Sequence, residues 1–519
     1  MRLSSYYHED YSGGLNTTAR EGRIDRSEAS LIRNWDITNA GQLVRRRGTI
    51  QVGDTLGDEI DGLHFYKRKG GGKDLMLMEG GDLRYLNSAV WDALDTGFTS
   101  GVKTWMVNCP LDDRVYISND NDTMHYWDRA SVVTNACLTD LGAAVPHGNV
   151  LAWHKNHMFT TNNVTVSGAP YPNRIYWSAI GDPTTWDTTN DFIEVPGQGN
   201  VIGLADLGDA LVIFKERNLQ YMTGWGDTDW RITASSSNVA NLSEQIGTIS
   251  PRGMTRVGNE VWFIDDEAII RRIYQTDFDP FRRDVISTKL VGTLAGLNKV
   301  QLSKVVATSW NDKVYFAIPT GASTDNNLIL VFDLKASKRT GSEAWTTYTG
   351  WSPSVFALYD PSTTPELYYG GIDGKVYLHT GPDDDGVAID SRWDGRDDDF
   401  DRPERYKNYK FGYMSGRATD DINVGMYSSM DDASFAFLGD IDLTPQGGTL
   451  GPSGSFELGP TGTTAVLGGG GTKEFKYYFS SGGGEVTAKS AKMSIRHAVA
   501  NEQPTINNFT IHYKERVLR

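Results

Sequence analysis

Short apolar runs alternate with polar clusters along most of this chain, and few runs carry a helical period. A strand turns successive side chains to opposite faces, so runs of about four to eight residues that end in turn residues read as strands. The pattern is densest over residues 173–226, where strands are expected at 174–178, 201–207, 210–214 and 219–223. The breaks are Gly-Asp-Pro, Pro-Gly-Gln-Gly-Asn, Leu-Gly-Asp and Glu-Arg-Asn. Pro fixes φ, Gly tolerates positive φ, and Asn and Asp bond their own backbone, so each break forces a turn.

The same grammar repeats. Hairpins are expected to start at residues 74, 114, 155, 210, 260, 313 and 366. A near-regular period of about 40–50 residues in a β-rich chain points to propeller blades. One blade cannot bury both faces, whereas a closed ring of blades can, and closure also hides strand edges. The expected fold is all-β: a propeller of six to eight blades, seven favoured, over residues 23–390. The run at 42–52 is placed to complete the last blade. A long two-sheet sandwich is the competing architecture, but sandwiches rarely sustain such an interval. Residues 27–33 read as a single helical turn or an irregular segment.

The pattern changes near both ends. Residues 1–22 read as an extended N-terminal arm. The Asp-rich stretch over 380–407 reads as a solvated interdomain loop; its spacing does not fit a calcium-binding EF-hand loop. Residues 391–519 hold six further alternating runs and are expected to form a C-terminal β-sandwich, with a Gly-rich loop at 444–471.

Composition agrees with strands. Among 519 residues are 56 Gly, 24 Tyr, 19 Phe and 14 Trp, with few Ala- or Leu-rich stretches. The net charge of −16 argues against a protein that reads nucleic-acid sequence, which normally presents a basic field. It leaves open a surface past which nucleic acid slides. Cys109 and Cys137 are the only cysteines, too few for a disulfide scaffold, and read as reduced, buried thiols. No apolar run is long enough to span a membrane, and the N-terminus lacks the apolar segment of a secretory signal.

Candidate chemistry is sparse. No nucleophile elbow, P-loop or His-Glu-x-x-His motif occurs. His154 and His157 share one segment, but residues three apart on a strand face opposite sides, and no third ligand lies near them in sequence. A sialidase-type Asp box is approached by Ser178 to Trp186, with its Asp two places late, and by Ser429 to Phe435, which stands outside the repeats. Such a box is structural in any case. The run Arg45-Arg46-Arg47 suggests contact with a subunit or partner, weighed against a charged strand edge that blocks aggregation. No enzymatic activity, metal or cofactor is expected.

Gly13-Gly14-Leu15-Asn16-Thr17, then Arg33-Asn34 and Leu43-Val44-Arg45-Arg46-Arg47-Gly48, resemble the opening of tail proteins from short-tailed bacteriophages. The stretch from Arg174 through Asp182-Pro183 to Trp186 resembles the central block of the same group, as do Leu211 to Lys215 and Tyr221 to Gly224. Ile246-Gly247, with Val261 to Asp265 after it, continues the likeness. The family is called tail tubular protein B, nozzle or tail hub. The likeness covers most of residues 11–275 and, more loosely, the C-terminal part.

The resemblance implies a structural virion protein, assembled in the host cytoplasm as a homo-hexameric ring of the tail. The ring would conduct and gate genomic DNA during ejection, without sequence recognition. Its partners would be the head–tail adaptor or portal-proximal tail proteins, tail fibres or spikes, and the host surface. The alternative is a propeller that binds or cleaves surface glycans. A cellular protein-interaction propeller is disfavoured, because the repeats lack the WD40 grammar.

Overall fold

The computed structural model of the chain describes residues 3–132, 134, 137–224, 230–234, 245–275, 282–360, 364–418, 422–443, 473–480 and 485–516. The Gly-rich stretch expected at 444–471 lies outside these.

Each expected hairpin supplies the two middle strands of a four-stranded unit. In the first unit Ile60–Lys67, Lys73–Glu79, Asp82–Asn87 and Val90–Thr96 pair antiparallel in sequence order. Its central turn is Gly80-Gly81, with φ of 58° and 88°. Only glycine takes two such values in succession cheaply, which is why the sequence signals the turn so clearly. Five more sheets of four strands stand alone. The last of them joins Pro353–Tyr359, Glu366–Gly371 and Val376–Leu378 to the early strand Ile50–Val52. A further four-strand meander, Val306–Trp310 to Trp345–Tyr348, precedes it and continues outward into a nine-stranded sheet. The innermost strands pack side by side in order, and Pro353–Tyr359 packs back on Ile60–Lys67. The result is a closed β-propeller of six independent blades and a seventh unit shared with the neighbouring body.

Closure by Ile50–Val52 ties the last blade to a strand about 300 residues earlier. A ring closed this way cannot open without breaking that pairing, so the chain entropy of the blades is restrained together.

Residues 3–45 stand outside the six independent blades. Ser4–His8 pairs antiparallel with Thr505–Glu515, so the expected arm is a docked strand. Trp35–Ile37 and Leu43–Arg45 join the same seven-stranded sheet. Leu31–Arg33 lies between Trp345–Tyr348 and Ser391–Asp398 and so links the seventh unit to the C-terminal strands. Residues 27–33 are therefore not helical. Glu28–Ala29 and Leu31–Arg33 are strands, because Ile32 is fully buried and long-range pairing overrides local preference.

The Asp-rich stretch is likewise not simply a solvated loop. Ser391–Asp398 is a strand paired with Ala491–His497. Two of its acids are neutralised in place: Asp394 pairs with Arg392 at 2.6 Å, and Asp398 with Arg26 at 3.1 Å. The six expected C-terminal runs all form strands, divided between the seven-stranded and nine-stranded sheets. Those sheets share a core with the N-terminal strands and with the propeller. Trp262, Phe332, Trp345, Trp35, Trp393, Ile495 and Ile511 belong to one continuous buried cluster. A boundary drawn at residue 390 cuts through this cluster.

Among the described residues helix is confined to short pieces. Leu334–Thr340 starts where the Asp333 carboxylate accepts from Ala336 N at 2.8 Å and stops at Gly341, whose φ is 67°. Among the described residues no helix is long and apolar enough to cross a membrane. Cys109 and Cys137 are both buried and unbridged.

Candidate functional site

The propeller axis holds a cavity of about 350 Å³, lined by innermost strands of six of the units. Leu63, Trp105, Leu204, Met254, Val306 and Phe356 give it an apolar wall. The strands approach closely here because Gly203 lets Met254 in: a Cβ at Gly203 would sit 2.6 Å from the Met254 methyl.

Arg252 closes the channel. It follows Ser250-Pro251, and Ser250 Oγ donates to Val305 O at 2.5 Å, which fixes the turn before the inner strand. The guanidinium reaches across the axis. One terminal nitrogen donates to Asp61 O at 2.7 Å and Thr104 O at 2.8 Å, and the other to Ser354 O at 3.4 Å. Three other units are thereby tied to the one that carries Arg252. Its carbon sits 5.3 Å from the Trp105 ring centroid. Burial lowers its pKa to about 10, with Asp61 and Glu59 opposing the shift. On its far side is a small pocket bordered by Glu59, Lys103, Asp325 and Asn326. Lys103 there pairs with Glu59 at 2.5 Å and Asp61 at 3.2 Å. Arg252 is thus the waist between two mouths.

At the wider mouth, Asp206 is shared. His154 Nδ1 lies 2.7 Å from one carboxylate oxygen, and Arg256 donates to the other at 2.9 Å. Burial pushes the Asp206 carboxyl up, but His154 and Arg256 outweigh it and hold it below the usual range. His154 and His157 do not lie on one strand. They flank the two-residue turn Lys155-Asn156, with φ of 45° and 65°, and face each other across a hairpin. His157 Nδ1 meets Ser178 O at 2.7 Å, so the two rings serve different partners. Among the described residues no three His, Cys, Asp or Glu side chains are placed together to hold a metal ion.

The arginine run divides. Arg45 and Arg46 are 1% and 0% exposed, so the expected contact with a partner is corrected for both: they hold this chain to itself. Arg46 uses all five donors. They reach Asn34 Oδ1 at 2.8 Å, Thr349 O at 2.7 Å, Arg47 O at 2.9 Å, and both oxygens of Asp384 at 2.9 and 2.6 Å. Its plane lies between Tyr348 and Trp351, 5.3 and 5.1 Å from their centroids. Asn34, at φ 58°, completes the joint by accepting from Thr349 N and donating to Asp390 O. Arg45 contacts His497 Nδ1 at 3.0 Å and donates to Val499 O and to Pro382 O. Burial lowers its pKa to about 10. Arg47 alone is exposed.

The Asp-box-like turn is also structural. Asp182 accepts from Thr184 N, Thr184 Oγ1 and Thr185 Oγ1 at 3.0, 2.6 and 2.8 Å, and Trp186 Nε1 donates to Pro183 O at 2.7 Å. The hydroxyls of Thr184 and Thr185 hold the Asp182 carboxyl below its ordinary value. Sequence reasoning missed Arg252 and Asp206. A lone Arg between Pro and Gly carries no periodic signal; its place at the start of an inner strand is the only hint.

No family model matches the chain, and no curated protein matches it. Among solved structures it is similar to the WD40 β-propeller domain of Doa1, at 9% identity over 64% of this chain and 96% of that one, with a TM-score of 0.40. It is similar to YCF48 bound to a D1 peptide, at 12% identity over 67% and 97%, with a TM-score of 0.40. It is also similar to PorZ of Porphyromonas gingivalis, at 12% identity over 64% and 38%, with a TM-score of 0.37. At these values the likeness is one of propeller architecture and carries nothing about function.

Proposed function

We propose that the chain is a structural subunit of a bacteriophage tail, a nozzle or hub whose copies form a homo-hexameric ring around the exiting genome. The observation that carries this reading is what the residues of the resemblance do. Asn34, Arg45 and Arg46 are joints that fix one part of the chain against another, and Asp182 to Trp186 is a turn held rigid by its own hydrogen bonds. Residues of that kind suit a load-bearing ring.

The propeller axis is not the DNA path in this reading. Arg252 spans it and the cavity above is smaller than a duplex, so the lumen lies between copies. A net charge of −16 keeps phosphates from adhering to the wall, since a basic wall would hold DNA by counterion release. Arg47 remains the member of the run available to a neighbouring subunit or to an adaptor. Gating is mechanical: contact at the host surface shifts the ring, and no bond is made or broken.

Antibodies raised against the purified chain test the assignment. They should label one end of the phage particles that encode it and block release of DNA. Absence of label from intact and disrupted particles alike would overturn it.

A further inference from the structure

We propose that the axial cavity binds a small apolar carboxylate, with the carboxylate on Arg252 and the body against Trp105, Met254 and Phe356. The inference stands apart from the tail assignment.

A guanidinium carries five N–H donors. Arg252 engages three: two at 2.7 and 2.8 Å, and a long one at 3.4 Å, all to backbone carbonyls. Its Nε–H and one terminal proton remain for a ligand. Among the described residues no carboxylate lies within ion-pair distance of Arg252. The nearby acids are occupied: Asp61 faces Lys103 at 3.2 Å, and Asp206 is divided between His154 and Arg256. Arg252 is half-buried in the cavity wall, with the acid charge of Asp61 and Glu59 near it but in no ion pair with it, so its own charge is offered to an anion in the cavity. Both parallel forks of a guanidinium use the nitrogen that already donates to Asp61 O and Thr104 O, so a carboxylate is held by one charge-assisted hydrogen bond from a remaining donor.

The wall selects the rest of the ligand. Trp105, Met254, Phe356, Leu63, Leu204 and Val306 offer apolar and aromatic surface in a volume that holds one small molecule. His64 adds no charge near neutral pH: burial lowers its pKa to about 4, and its Nε2 bonds Asn108 Oδ1 at 3.0 Å. The occupant is therefore a monocarboxylate with an apolar or aromatic body, either a free acid or the C-terminal residue of a polypeptide.

The test is calorimetric titration of the full chain with N-acetylphenylalanine and, separately, with its neutral amide. A short peptide ending in free phenylalanine forms a third arm. The acid should bind and the amide should bind at least about tenfold more weakly, the weight of one lost ion pair. Binding of the peptide as well identifies a chain terminus as the source; binding of the acid alone identifies a free metabolite-sized acid. Arg252→Lys should weaken the acid by a similar factor. Thr255→Trp, which fills the cavity from a half-buried position and leaves the Arg252 bonds intact, should abolish binding while a thermal melt shows the fold retained. Equal affinity for acid and amide, unchanged affinity in Thr255→Trp, or no binding in any arm would overturn the proposal.

Discussion

Arg46 shows how far a residue's surroundings can reverse its first reading. Three consecutive arginines suggest a charged edge, yet two of them are buried and one is saturated with hydrogen bonds. Nothing in the local sequence marks this, because Asp384, Thr349 and Trp351 come from more than 300 residues away. Removing a partner from a buried ion pair costs about 3–5 kcal/mol. Arg46→Ala should therefore lower stability by that amount in a urea melt, and Arg47→Ala should change it by less than about 0.5 kcal/mol. Equal effects would contradict the division.

Three histidines give the chain an acid limit. Burial lowers the pKa of His8 and His64 to about 4 and that of His379 to about 3. His379 is enclosed by Trp351 and Trp310 and bonds Gly48 O at 3.0 Å. The unfolded chain takes up protons on imidazole near pH 6.5, before the folded chain does. Stability is thus fully present above about 6.5 and falls as the pH drops towards about 4. Urea midpoints measured across that window should decline, and His379→Gln should make the decline shallower. An identical slope in the variant would remove His379 from the account.

At the scale of elements, the hairpins were legible and the joints between bodies were not. Each hairpin carries its own period and turn, as at Gly80-Gly81 and in the pairing of Ala210–Lys215 with Leu219–Thr223. Leu31–Arg33 is three residues long and pairs with Thr347 and with residues 392–394. Its partners are set by topology, which short-range periodicity does not encode. For the same reason the candidate site was nearly invisible: the cavity exists only when inner strands from separate units meet. Ile32 is fully buried in that linking strand, and Ile32→Ala should cost about 2–5 kcal/mol. A loss below about 1 kcal/mol in the same melt would show that the strand does not couple the bodies.

At the scale of the whole molecule, one core runs from the propeller through the N-terminal strands into the C-terminal sheets. A shared core unfolds as a unit. Calorimetry should give one main transition rather than separate ones for residues 46–380 and for the rest. The acidic surface should leave duplex DNA unbound at physiological salt in a fluorescence-anisotropy titration, and tight, salt-sensitive binding would contradict a wall past which DNA slides. The central claim is the ring itself. Negative-stain imaging of the purified chain, with light scattering on the same sample, tests it most directly. The account predicts sixfold rings with an open lumen between subunits, and a monomer at every concentration would contradict it.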